Sequence, residues 1–215
     1  TDFDIPVQLW RARLGAAADH VVLAPGIEYN MRAWPKGQNV PNTLETIRGW
    51  AAMAWEQGAD QLYLFNYMGS QTLPVSVADY RRLLEDGLGP TELARQPRRH
   101  PQTYRDTVPL GSDAGIVLPA ALSVGLTLSL NLGTVLENDT NTFILGLDDT
   151  ATVDVDLVVK INGVPCQRLA DHPAPDMFPA CVRALQFACP PQAVVSGHNT
   201  FVVAPLTDAP AVQII

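Results

Sequence analysis

Apolar positions recur with a helical period in the first half of this chain and with a strand period in the second, and the change falls near residue 110. After Pro6, a residue suited to a first helical turn, Val7 to Ala18 carries Val7, Leu9, Trp10 and Leu14 among good helix formers. Asp19-His20 breaks that pattern. Val21-Val22-Leu23-Ala24 follows as a continuous apolar run, the signature of a strand buried on both faces, and it stops at Pro25-Gly26-Ile27-Glu28. Tyr29 to Pro41, with Trp34-Pro35-Lys36-Gly37 inside it, has loop chemistry and no period. A second helix is then predicted with clear ends. Asn42 or Thr43 caps it, Glu45 sits in the first turn, and Leu44, Ile47, Ala51, Ala54 and Trp55 make its apolar face. Gly58 ends it, and a short connection leads into Leu62-Tyr63-Leu64-Phe65, a second strand. A helix, a glycine stop and an apolar strand form the repeat unit of a parallel sheet. Val77 to Asp86 predicts a third helix, closed by Gly87.

Beyond about Ile116 the runs are short and separated by turn signals. Leu126-Thr127-Leu128-Ser129-Leu130-Asn131-Leu132 alternates strictly, with leucines on one face. Phe143 to Leu147, Val153 to Ile161, Ala184 to Ala188, Asn199 to Val203 and Val212 to Ile215 continue the series. Asn162-Gly163 marks a two-residue hairpin. Strands at even spacing without helices predict a sandwich or jelly roll. The expected organisation is an α/β segment with its linker over residues 1–110 and an all-β sandwich over residues 111–215.

Charge sharpens this division. Up to Leu110 there are 11 Lys and Arg against 12 Asp and Glu; after it, 3 against 10. Most of the net charge of −8 therefore belongs to the second part, whose only cations are Lys160, Arg168 and Arg183. Such a surface cannot neutralise a phosphate backbone, so no nucleic-acid partner is expected. No apolar run reaches the roughly 18 residues that span a bilayer, and no membrane partner is expected. Arg95-Gln96-Pro97-Arg98-Arg99-His100 is basic and reads as a solvated linker. The four histidines are scattered without a Ser or Cys partner at motif spacing and read as surface or turn residues. No phosphate-cradling glycine loop occurs, and neither cofactor nor metal is expected. Cys166, Cys181 and Cys189 allow at most one intramolecular disulfide and read as buried thiols.

The candidate chemistry lies where the two parallel strands end. Ligands bind at the C-terminal ends of such strands, which singles out Glu28, Asn66 and Tyr67. Trp34, in the loop after the first strand, either stacks on a sugar ring or packs in the core. Trp10, Trp50 and Trp55 sit on helices and read as core or interface residues.

Three stretches carry a family likeness: Ala24-Pro25-Gly26-Ile27-Glu28; Thr43-x-Glu45-x-x-Arg48-Gly49; and Gln57-Gly58-Ala59-Asp60-x-Leu62-Tyr63-Leu64-Phe65-Asn66-Tyr67. Together they resemble the last two strand–helix units of bacterial glycoside-hydrolase-like (β/α)8, or TIM, barrels over roughly residues 5 to 105. The resemblance implies a nucleophilic role for Glu28, with carbohydrate bound around Tyr29, Asn30, Arg32, Trp34, Asn66 and Tyr67. It also favours an extracytoplasmic location. Val159-Lys160-Ile161-Asn162-Gly163 and Gly197-His198-Asn199-Thr200-Phe201-Val202-Val203 resemble signatures of jelly-roll domains attached to glycoside hydrolases. Asn199, just after a glycine at a strand start, fits a turn with positive backbone dihedrals.

A full barrel needs about 250 residues and eight strands, whereas this segment offers two. Retaining hydrolysis needs two carboxylates about 5 Å apart, and the second is expected on an earlier strand of a longer protein. The chain alone is therefore expected to be an inactive C-terminal portion, or else a carbohydrate-binding or structural module. Open strand edges recruit partners, so self-association through the α/β part is expected.

Overall fold

The computed structural model describes residues 3–34, 36–67, 76–104, 117–148, 156–171, 181–206 and 212–215. Its first part is organised by one helix, α2 (Leu44–Glu56), with α1 (Val7–Leu14) preceding it. A reciprocal capping box starts α2. The Thr43 hydroxyl accepts from the Thr46 amide at 3.3 Å, and the Thr46 hydroxyl accepts from the Thr43 amide at 2.8 Å. Thr46 through Ala54 are all buried, so the helix is covered on more than its apolar stripe. One side meets β1 (Gly26–Glu28) and β4 (Tyr63–Phe65), a parallel pair in the register Gly26↔Tyr63, Ile27↔Leu64, Glu28↔Phe65. Ile27 and Leu64 belong to the cluster around Ile47, Trp50 and Met53. Trp50 is fully buried there, and Trp55 packs against the same cluster.

The parallel pair expected from the sequence is thus present, displaced along the chain. Val21 to Ala24 is not the strand: β1 begins at Gly26, and the Leu23 carbonyl accepts from the amides of Asp60 and Gln61 without joining a ladder. Nor is the run buried on both faces, since Val21 and Val22 are exposed. Only one face of the two-stranded ladder is covered, and Tyr63 and Phe65 on the other are exposed, their rings 6.0 Å apart. The run is held by Asp60, whose carboxylate accepts from the Leu23 amide at 2.8 Å and pairs with Arg11. Those bonds, the amide first, hold the Asp60 carboxyl below its usual range.

Further differences are local. Tyr29 to Pro41 contains a small antiparallel ladder, β2 (Asn30–Met31) with β3 (Val40–Pro41). The first helix stops at Leu14 because Gly15 takes a positive φ of 52°, and a 3-10 turn follows to His20. Trp10 is exposed, which removes the core alternative of the two expected for it. The third helix, α3 (Val77–Arg82), gives way to a π-turn at Leu83–Gly87 before α4 (Pro90–Leu93).

The second part is two antiparallel sheets. One has the order β10 (Gln167–Arg168), β11 (Arg183–Cys189), β7 (Asn141–Leu147), β13 (Gln213–Ile214), β5 (Ala120–Ala121). The other runs β6 (Leu126–Leu132), β12 (Gly197–Pro205), β8 (Leu157–Ile161), β9 (Val164–Pro165). Alternate residues of both face one shared core, with Phe143, Leu145 and Phe187 from the first sheet and Leu128, Ile161 and Phe201 from the second. Phe143 and Phe201 stack across the gap at 4.8 Å. Asn162 and Gly163, at φ 49° and 85°, make the two-residue turn between β8 and β9 that the sequence announces. The expected strand start at Val153 lies outside the described residues, as do Gly111, Ile116, Met68 to Ser70, His172 and Phe178. Among the described residues the chain is mixed α and β, mostly antiparallel sheet, with no closed barrel.

The two parts touch closely. A Cβ placed on Gly133, just after β6, would lie 2.3 Å from the Ala52 Cβ of α2. Asn131 donates to the Asp4 carboxylate at 2.8 Å. The basic stretch ending in His100 is not a solvated linker, because it is pinned between the parts. The Arg99 amide donates to the Glu45 carbonyl at 2.9 Å, and Arg98 donates to the Thr134 carbonyl at 2.7 Å. The Arg98 guanidinium thus exchanges part of its hydration for a backbone acceptor, while residues 95–97 stay exposed.

His100 is accordingly not a surface residue in the electrostatic sense: its Nδ1 is enclosed, and among the described residues it has no hydrogen-bond partner. Burial first, and then the Arg98 guanidinium, push its pKa down to about 3. The unfolded chain takes up this proton near pH 6.5, while the folded chain resists it until about pH 3. The resulting stability is complete above about pH 6.5 and is lost as pH falls toward 3. Thermal melts at pH 7 and pH 4.5 should show a larger drop in midpoint for the native protein than for His100→Gln. Equal drops would mean that the imidazole is solvated.

Candidate functional site

Glu28 is the last residue of β1 and Asn66 the first after β4, so parallel pairing sets the two side by side at one end of the ladder. Asn66 takes a positive φ of 63°, a conformation that asparagine tolerates better than most residues. Its amide donates to Glu28 Oε1 at 3.0 Å, and the Tyr29 backbone amide donates to the same oxygen at 3.0 Å. Both bonds fall on Oε1, and among the described residues Oε2 receives none. One carboxylate oxygen is therefore fixed by both bonds.

The backbone under the carboxylate is also held. The Glu28 carbonyl accepts from the Asn42 side chain at 2.8 Å and from the Tyr67 hydroxyl at 3.4 Å. Asn42 is almost fully buried, and its Oδ1 accepts from the Thr46 hydroxyl at 3.0 Å. The start of α2 is thereby coupled to the strand end that carries Glu28. Sequence reasoning placed Asn42 only as a capping candidate; the cap is Thr43, and Asn42 instead supports the site. Its signal was a second polar residue directly before the cap, where one would serve.

Tyr67 is buried, and its ring meets that of Tyr29 edge-on at 6.0 Å. Burial foremost, and then the nearby Glu28 carboxylate, raise its phenol pKa. It stays a neutral donor across the ordinary pH range. Tyr80, not singled out by the sequence, donates to the Tyr67 carbonyl at 3.2 Å and anchors that segment to α3.

The remaining expected residues are distributed differently. Asn30 lies on β2 opposite Pro41. The Arg32 guanidinium stands 5.9 Å from the centre of the Tyr104 ring. Trp34 packs against the sandwich core together with Ala33, which is the core alternative for this side chain. Glu28, Tyr29, Asn66 and Tyr67 are thus brought together, and Trp34 is engaged elsewhere.

Among the described residues, the groups bonded to Glu28 are amides and a phenol, and none is a carboxylate. None of the groups of His, Cys, Asp and Glu there is placed to hold a metal ion. A cavity of about 380 Å³ lies between the sandwich core, with Leu128, Leu130 and Phe143, and the segment 98–102 of the first part. Its wall includes neither Glu28 nor Asn66, and it is separate from the strand-end cluster. No protein-family model matches the chain, and no curated protein matches it.

Proposed function

We propose that this chain is the C-terminal portion of a glycoside-hydrolase-like protein acting on carbohydrate, with Glu28 as the carboxylate that meets the substrate. The observation that carries the reading is the pairing of Glu28 with Asn66 at the C-terminal ends of adjacent parallel strands. That end of a parallel sheet is where substrate-binding groups collect. Support also comes from the uncovered face of the ladder. Tyr63 and Phe65 stand exposed there, and Glu28 pairs in register with Phe65. Further strands of a TIM-like barrel would cover such a face.

In this reading the fixed oxygen of Glu28 sets the direction of the other, which attacks an anomeric carbon or accepts a sugar hydroxyl. Asn66 orients the carboxylate, and Tyr29 and Tyr67 wall it. The sandwich has a supporting role as a jelly-roll-like module. Phe143, Phe187 and Phe201 are all buried in its core, and none offers a surface platform for a sugar ring.

Glu28→Gln tests this in the longer protein, with an aryl glycoside as reporter. A loss of about 10³-fold in kcat with an unchanged fold is expected. The chain of residues 1–215 alone should show no turnover. A Glu28→Gln protein that hydrolyses the reporter at the native rate would end the proposal.

A further inference from the structure

The three cysteines are all free, yet they are not equivalent. Cys166 sits where the chain leaves β9, at the edge of one sheet, and enters β10, at the edge of the other. The register of β10 on β11 pairs Gln167 with Ala188 and Arg168 with Phe187. One step further along the same register sets Cys166 opposite Cys189. The Leu169 amide donates to the Gln186 carbonyl, making those two residues a hydrogen-bonded pair. Such pairs alternate along an antiparallel ladder, so Cys166 and Cys189 occupy a non-hydrogen-bonded position. There the α-carbons lie about 4.5 Å apart, within the range that a disulfide spans.

The side chains agree with the backbone. Arg168 lies over the Phe187 ring at 5.1 Å, so residues 168 and 187 share a face, and residues 166 and 189 share it too. The Cys166 thiol donates to Cys189 Sγ across 3.9 Å. Cys181 is engaged separately, its thiol donating to the Arg183 carbonyl at 3.3 Å.

We propose that Cys166 and Cys189 close to an intramolecular disulfide in the presence of a small-molecule disulfide, leaving Cys181 as the unbridged thiol. The half-buried Cys166 reacts first. Its thiolate attacks one sulfur of the reagent and expels the other as a thiol, giving a mixed disulfide. The Cys189 thiolate then attacks Cys166 Sγ and expels the second thiol. The protein loses two protons and two electrons, and the reagent is reduced to two thiols. Burial raises both thiol pKa values, that of Cys189 to about 12, so exchange in the folded state is slow and closure is fastest during folding. The bridge would tie the corner between the sheets to a central strand of the core. It stands independently of the carbohydrate reading.

The test is to refold the protein from urea in glutathione disulfide, block free thiols in denaturant and map the peptides. The expected result is one blockable thiol of the three, at Cys181, and a Cys166–Cys189 cross-linked peptide within the monomer. Cys181→Ser should keep the cross-link and show no blockable thiol. The oxidised protein should melt on the order of 10 °C higher, reversibly on reduction. Three thiols surviving refolding, a bridge through Cys181, or glutathione adducts that never resolve would each overturn the assignment.

Discussion

Asn199→Ala is expected to cost about 3–4 kcal/mol of stability, as much as truncating a large core side chain. The residue is fully buried near the start of β12. Its Oδ1 accepts from the Val195 amide at 3.0 Å and from Asn162 Nδ2 at 2.9 Å. Its Nδ2 donates to the carbonyls of Val195 and Gly197 at 2.7 and 2.9 Å. Asn162 in turn donates to the Ala193 carbonyl and accepts from the Thr200 amide, so the β8–β9 turn and the start of β12 form one polar knot. Truncation leaves backbone groups unpaired in a site that water does not reach, and each such group costs about 1–3 kcal/mol. Asn199→Asp is the sharper variant. It keeps the shape but sets an acceptor against two carbonyls, so its cost should match or exceed that of alanine. Urea unfolding followed by circular dichroism reads both. A cost below 1 kcal/mol for either would show that water replaces the lost bonds.

Gly49→Ala should destabilise the protein by about 2–3 kcal/mol, against the direction that helix propensity gives. Glycine inside a helix is worse than alanine by about 1 kcal/mol, and Gly49 lies in the middle of α2. The added Cβ, however, would sit 2.2 Å from the Arg99 carbonyl oxygen and 2.9 Å from its carbon. Both are backbone atoms, and the Arg99 amide is itself bonded to the Glu45 carbonyl of the same helix. The segment cannot withdraw without breaking that bond and loosening Arg98 from Thr134. A rise in the unfolding midpoint of Gly49→Ala would show that the segment yields freely.

These two residues show how far the sequence could be read. The glycine of Arg48-Gly49 was visible as part of a family likeness, but the reason for it was not. A close approach of two backbones leaves no trace in periodicity. Asn199 was read through its own backbone dihedrals. The positive φ falls instead on Gly197 and Asn162, and Asn199 acts through its side chain. Alternation along β6, β7 and β12 was legible because each strand buries one face only, which is the case that period-two patterning describes. The apolar run at Val21 to Ala24 misled for the converse reason. Continuous hydrophobicity speaks of burial on two faces, and here the run lies before the strand with no residue of it buried. At the site, the Glu28–Asn66 neighbourhood followed from the parallel repeat. The buried support from Asn42 did not, since hydrogen bonds between segments are not encoded at a fixed spacing.

The seam between the parts has a consequence for how the chain can be divided. Gly133 meets Ala52 with almost no side chain between them, the Asn131 amide meets the Asp4 carboxylate, and the Arg98 guanidinium reaches the Thr134 carbonyl. A seam built from one close glycine–alanine contact and a few directional hydrogen bonds has little tolerance for sliding. The first part and the sandwich are therefore expected to unfold together rather than as independent units. A cut placed near residue 110 to obtain either half would strip a surface shaped only for the other.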